Sequence, residues 1–239
     1  MTDRFQFNRI GIVHSPFRHK FAIPRQPGLC PSVPGQIELL PPYNQKDMVR
    51  GLEDFSHIWV LFVFHAIEQN KWAPLVRPPR LGGHERMGVL ATRSTHRPNP
   101  IGQSVVKLWR VELLNGHPVL HIHGHDLLDG TPVLDIKPYI PYADAIPDAA
   151  NGFIGRTAFE RHEVVFNKEA DEQCKNWEQT YPALRRMLIE ILQQDPRPAY
   201  HKQSAEARDY GIQLYDLNIR YHLDAGVVEI QELRLFEDT

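Results

Sequence analysis

Apolar residues in the first part of the chain fall in short runs separated by proline- and glycine-rich connections, a pattern of strands rather than helices. The expected strands are Arg9–Val13, Gln36–Leu40, His57–Phe64, Met87–Ala91, Ser104–Leu114, Pro118–His123 and Pro132–Pro138. The sharpest local signal is VELLNGHPVLHI, where Asn115-Gly116 separates two β-rich runs. Both residues accept positive φ, so a two-residue type I′ hairpin is expected there. Short strands joined by hairpins suggest an antiparallel sheet curled into a barrel. The period then changes. Within Lys168–Gln193 the apolar positions Trp177, Tyr181, Leu184, Leu188, Ile191 and Leu192 follow helical spacing, and Pro182 is expected in the first turn of a second helix. Two more strands, Gly211–Tyr221 and Val227–Leu235, are expected to join through Asp224-Ala225-Gly226, and residues 142–155 read as the boundary between the two parts. The fold class is therefore α+β, mainly β: an N-terminal antiparallel barrel over residues 1–150 and a small α+β C-terminal domain over residues 160–239.

Composition narrows this. The chain has 239 residues, 42% hydrophobic and 23% charged, with a formal net charge of -2. That is a globular composition, and any polyanion site must be local. Two distant cysteines, Cys30 and Cys174, argue against a disulfide framework or a four-cysteine zinc site, and fit a reducing compartment. The start of the chain does not read as a signal peptide, and the longest apolar run, IWVLFVFHAI, is about half a membrane span. A cytoplasmic enzyme or binding protein is expected.

The candidate chemistry sits in a few stretches. GVLATRSTHRPNPIGQS places Arg93, Ser94, Thr95, His96, Arg97 and Asn99 between apolar runs. From Val76 to Arg110 there are seven Lys/Arg and one acid, Glu85. Such a tract suits phosphate oxygens, and equally suits a solvated face balanced elsewhere. Residues 125–144 are the acidic counterpart, with Asp126, Asp129, Asp135 and Asp144. Asp135 and Lys137 share a strand face, as a surface ion pair or at a barrel mouth. His121, His123 and His125 alternate as well, which invites a metal, but no cysteine is near and Gly124 can break the strand. IPRQPGLCPSVPG is a stiff loop centred on Arg25 and Gln26. DPRPAYHK places Arg197 near Tyr200, a pairing suited to an unstacked nucleotide. There is no dinucleotide-type glycine loop, P-loop or nucleophile elbow.

Several of these stretches together, GLEDFSHIWVLFVFH, GVLATRSTHRPNPIGQS, DLLDGTPVLDIKPYIPYAD, FAIPRQPG and QDPRPAYHK, resemble the TrmO family over nearly the whole chain. The resemblance implies a single-sheet barrel, S-adenosylmethionine as methyl donor, and a homodimer with the cofactor near its interface. It implies methylation of N6 of N6-threonylcarbamoyladenosine at position 37 of threonine tRNAs. The cofactor site is then expected to use Arg25, Gln26 and Pro27, the Phe64-His65 strand end, Arg93 and the Asp129-Gly130-Thr131 turn. Arg97 and Asn99 are expected to face the substrate, and Arg197 and Tyr200 to dock the anticodon loop. Asp135 as base and Lys137 as oxyanion partner are the catalytic candidates by chemistry. Two rival readings remain: an RNA-binding barrel without activity, and a metal enzyme built on the three histidines.

Overall fold

A computed structural model describes residues 5–68, 71–81, 85–156, 161–195, 197 and 207–236. Six strands close an antiparallel barrel in the order β1-β2-β7-β6-β3-β8. They are β1 (Gly11–His14), β2 (Pro34–Leu39), β3 (His57–Val63), β6 (Ile101–Leu114), β7 (His117–His123) and β8 (Pro132–Pro138). A separate two-stranded ribbon, β4 (Leu75–Val76) with β5 (Met87–Gly88), lies between β3 and β6 in the chain. Alternation decides which way each strand faces. Ile58, Val60 and Phe62 of β3, Val106 and Leu108 of β6 and Leu120 and Ile122 of β7 point inward and fill the barrel with Val13, Ile37 and Val133. The β6–β7 hairpin turns at Asn115 (φ 52°) and Gly116 (φ 84°), as its sequence requires.

The second unit is a sheet in the order β10-β11-β12-β9, covered by two helices. Its strands are β9 (Glu163–Phe166), β10 (Arg208–Leu214), β11 (Leu217–Asp224) and β12 (Val227–Leu235). A single turn, α1 (Pro141–Asp144), precedes α2 (Lys168–Trp177) and α3 (Leu184–Leu192). Asn167 caps α2 by accepting from the Ala170 N–H at 2.8 Å. Leu184, Leu188, Ile191 and Leu192 are buried together with Ile219 and Ile230. Phe17, Ala22, Cys30 and Val33 belong to this same core, so the proline-rich loop between β1 and β2 is clamped to the C-terminal unit. Ser32 reinforces the clamp, donating through its N–H (2.9 Å) and Oγ (2.5 Å) to Glu190.

Four expectations are corrected. Met87–Ala91 is strand only to Gly88, and Val89–Ala91 is a 3-10 turn closed by Thr92, whose Oγ1 donates to the Val89 carbonyl at 2.9 Å. Gly211–Tyr221 is not one strand but parts of β10 and β11, separated by Tyr215 at φ 56°. Pro182 lies before the second helix, which starts at Leu184 after Ala183 at φ 68°. The histidine stripe is not one face. Gly124, at φ 67°, breaks the period, so His125 turns inward and is fully buried.

Candidate functional site

Where β3 and β6 meet at one end of the barrel, a cavity of about 670 Å³ opens. This is the size of a small-molecule or cofactor site. Strand ends supply its floor: Phe62, Phe64 and His65 from β3 and beyond, and Gly102, Gln103 and Ser104 from β6. Gly102 is required there, because a Cβ at this position would run into the Phe62 ring. Phe62 and Phe64 pack edge to face at 5.2 Å. A bulge between β3 and β8, where Leu61 faces Asp135 and Phe62 faces Val133, bends the sheet beside these residues.

Two loops form the upper walls. The loop after β5 is ordered by its own polar side chains. Ser94 N–H bonds Thr92 Oγ1 (3.2 Å), His96 N–H bonds Ser94 Oγ (3.3 Å), and Arg97 Nη1 donates to the Thr92 carbonyl at 2.7 Å. These local bonds replace strand pairing, which explains the residue types of this stretch. Arg93 extends from it to Gln26 of the proline-rich loop, donating through Nη1 at 2.5 Å. Arg25, Gln26, Arg93 and Arg97 therefore all line one cavity, together with Thr92, Thr95 and Lys20.

The charge in this lining is lopsided. Among the described lining residues there are four cations, Lys20, Arg25, Arg93 and Arg97, and one carboxylate, Asp126. Burial pushes the Asp126 carboxyl up to about 6, against the opposing pull of a hydrogen bond from Ser104, its own backbone and the charge of Arg93. Ser104 Oγ donates to Asp126 Oδ1 at 2.6 Å. Neither residue stood out at the site from sequence. The one signal was Asp126's place in the acidic run after the histidines.

The structure gathers Arg25, Gln26, Phe64, His65, Arg93, Arg97 and Thr131 into this cavity. It gives other candidates different surroundings. Asp129 is not among the lining residues; its carboxylate accepts the Ser15 N–H at 2.8 Å and pairs with Arg18, which pins β1 to the 128–131 turn. Gly130, at φ 74°, supplies that turn beside His65. Pro27 and Asn99 also lie outside the lining. Asp135 and Lys137 pair with each other at 2.6 Å on β8, both well exposed, and neither lines the cavity. The bulge at Leu134, just before Asp135, shifts the alternation here, and the exposed pair is the surface alternative that their spacing left open.

Arg197 is embedded rather than presented. Its Nε and Nη2 hold both oxygens of Asp195 at 2.7 and 3.1 Å, and its guanidinium lies 5.8 Å from the Tyr210 ring centre. It lines a smaller neighbouring cavity of about 220 Å³ with Asp195 and Gln194, which shares Lys20, Ile23 and Arg25 with the large one. Tyr200 lies outside the described residues. His121 bonds Glu112 at 2.7 Å, His123 packs on Trp109 at 5.2 Å, and His125 is enclosed; no group of three potential ligands is arranged for a metal among the described residues. Burial pushes the Cys30 thiol up to about 12 and that of Cys174 to about 11, so neither is primed as a nucleophile.

Comparison with known proteins adds an independent line. A family model described as the tRNA-methyltransferase O N-terminal domain matches residues 12–145, and one described as the TrmO C-terminal domain matches residues 160–235. The chain is 50% identical over 223 residues to the tRNA (adenine(37)-N6)-methyltransferase of Escherichia coli strain K12, covering 93% of this chain and 95% of that one. It is 48% identical over 214 residues to a putative S-adenosylmethionine-dependent methyltransferase of Pseudomonas aeruginosa, covering 89% and 90%. The crystal structure of TrmO from P. aeruginosa matches with a TM-score of 0.81 at 39% identity, over 98% of this chain and 99% of that one. Two domain models in order, and relatives matched along nearly their full length, place the chain in the tRNA-methyltransferase O family.

Proposed function

We infer that this chain is a tRNA methyltransferase that moves a methyl group from S-adenosylmethionine to N6 of adenine 37. The observation that carries this reading is the 50% identity with the E. coli enzyme along nearly the whole of both chains. The cavity residues suit the donor. Phe64 and His65 offer flat surfaces for an adenine, and the arginine forks suit a methionyl carboxylate. When bound, S-adenosylmethionine supplies a methyl group activated on a positively charged sulfur.

The chain's own task is orientation and electrostatics. Gln26 and Arg93 hold the two loops together over the cavity. Arg97 keeps its own loop in shape and still contributes charge to the lining. Lys20 and Arg25 extend positive potential toward the C-terminal unit, along the path an anticodon loop would take. The finer substrate is N6-threonylcarbamoyladenosine, whose threonyl carboxylate adds a reason for so many cations. The protein acts as a homodimer in the cytoplasm. Exposed Tyr142 and Ile146 favour the dimer; they flank Asp144, which accepts from the indole of cavity-lining Trp59 at 3.1 Å.

The test is incubation of the protein with S-adenosylmethionine and threonine tRNA carrying or lacking the threonylcarbamoyl group, followed by nucleoside mass analysis. One added methyl on the modified adenosine is expected. Binding of S-adenosylmethionine without methylation of either tRNA would sink the reading, and methylation of unmodified tRNA alone would overturn the finer substrate. Light scattering in solution checks the dimer.

A further inference from the structure

Asp126 differs in its ionic contacts from two of its acidic neighbours. Asp129 pairs with Arg18 and Asp135 with Lys137, whereas Asp126 forms no ion pair among the described residues. It is also the one carboxylate among the described residues lining the cavity. The fold places it deliberately. Gly124 ends β7, and His125 folds inward, where its Nδ1 accepts the Leu127 N–H at 3.2 Å and its Nε2 meets the Pro34 carbonyl at 3.0 Å. Asp126 is thus fixed between buried His125 and buried Leu127, and its carboxylate meets Ser104 on the adjoining strand.

We propose that Asp126, positioned by Ser104, accepts the proton that leaves N6 as the methyl group arrives. This rests on the function proposed above. The N6–H bond breaks and its proton goes to the Asp126 carboxylate. The electron pair on nitrogen forms the new N–CH3 bond, and the pair of the breaking S–CH3 bond stays on sulfur, which becomes a neutral thioether. A ureido nitrogen needs this help, because its lone pair is delocalised until the proton goes. A carboxyl raised to about 6 is still ionised at neutral pH and is a better base than an ordinary aspartate. The charged group that acts on it is Arg93 from the loop after β5; His65 lines the same cavity, and the adjacent His125 is turned away to Pro34 and Leu127, its ring held neutral by burial down to about pH 4.

The experiment measures single-turnover methylation of threonylcarbamoyl-modified tRNA across about pH 5 to 9 for the wild type, Asp126→Asn and Ser104→Ala. It is paired with calorimetric S-adenosylmethionine binding, and with carbon NMR of aspartate-labelled free protein. The wild-type rate should rise with pH through about 6 and level off. Asp126→Asn should lose roughly 10²–10⁴-fold in rate, with cofactor affinity within about threefold. Ser104→Ala should remain active with its acid limb moved to higher pH, because the lost bond favoured the charged carboxylate. The NMR signal titrating near 6 should vanish in the first variant and shift up in the second.

Asp126→Asn within tenfold of wild type, or keeping the acid limb, would overturn the proposal. Joint loss of cofactor binding and rate would also overturn it, making Asp126 a cofactor contact. Should Asp126→Asn melt, Ser104→Ala decides, and an unshifted limb overturns. A wild type that methylates nothing is a failure of the function itself, and the NMR titration then still reports on Asp126.

Discussion

Residues 92–104 and 121–125 are the two stretches densest in candidate chemistry, and the fold treats them oppositely. No periodicity places Arg93, Arg97 or Ser104 together, yet all three line one cavity. A strict period of two puts His121, His123 and His125 on one strand face, yet they reach three unrelated surroundings. The bulge at Trp109 shifts the β6–β7 register, so Arg110 faces His121 and Lys107 faces His123. Gly124 then sends His125 into the core. A spacing argument gathers side chains only while the strand stays regular. A loop gathers them when its own hydrogen bonds fix it against a strand end.

The largest effects should come from adding one side chain to each region. Gly102→Val presses on the Phe62 ring, and Gly35→Ala sets a Cβ 2.5 Å from His125 Nε2. Each is expected to destabilise by about 3 kcal/mol, as overpacking of a tight core does. Their functional effects should differ. Gly102→Val should weaken S-adenosylmethionine binding by at least about tenfold, since Phe62 and Phe64 form the cavity floor. Gly35→Ala should leave binding nearly intact and slow turnover by displacing Asp126 along with His125. Calorimetry with single-turnover rates separates them, and equal binding loss in both would erase the distinction between the regions.

His125 supplies the next effect, through pH. Its burial lowers its pKa from 6.5 to about 4, with the Pro34 carbonyl opposing. Below pH 6.5 the unfolded chain takes up a proton that the folded ring refuses, so stability falls as pH drops from 6.5 toward 4. The full effect is of the order of 3 kcal/mol. Asp126 acts with the opposite sign: its raised pKa makes stability fall as pH rises from 3.8 to about 6. Chemical denaturation of His125→Gln at several pH values should therefore show the acid loss removed and the Asp126 slope exposed. An unchanged profile would mean that the buried ring does not titrate as its surroundings demand.

Much of this was legible beforehand, for reasons that differ between elements. The β6–β7 hairpin was readable because Asn115-Gly116 fixes a local backbone geometry. The barrel followed from short alternating strands, and the chemistry of residues 88–104 from composition no core or ordinary loop needs. β9 was not readable, because its four residues are a strand only through parallel pairing with β12, more than sixty residues away. Asp126 was hidden for a related reason. Its environment is made by Ser104 from another strand and by the inward turn of His125, and neither is local. Arg197 next to Tyr200 looked like a nucleotide grip, since no local pattern announces that Asp195 would take up the guanidinium.

That embedded arginine gives a smaller and sharper test. Arg197→Ala removes the bidentate partner of the buried Asp195 carboxylate. A loss of about 2–3 kcal/mol is expected in the C-terminal unit. Adding Asp195→Asn should recover part of it, because the buried negative charge is then removed together with its bidentate cation. Thermal melts of both single variants and the double read this directly. If instead Arg197→Ala melts normally and only tRNA methylation falls, the guanidinium reaches RNA in the working enzyme, and the docking role returns.

The smallest effect belongs to the Asp135–Lys137 pair, and it is the cleanest contrast with Asp126. Both carboxylates lie on or next to barrel strands, and both are close to a hydroxyl or ammonium partner. Asp135 is 45% exposed and Lys137 61% exposed, so water screens their charges and their bond contributes at most about 1 kcal/mol. Neither side chain lines the cavity. Asp135→Ala and Lys137→Ala should therefore leave single-turnover methylation within about threefold of wild type, with no change in its acid limb. A loss of two orders of magnitude in either would move the base to the outer face of β8. The active cavity would then have to include surface that a second copy of the chain encloses, and the isolation of Asp126 among the described lining residues would lose its meaning.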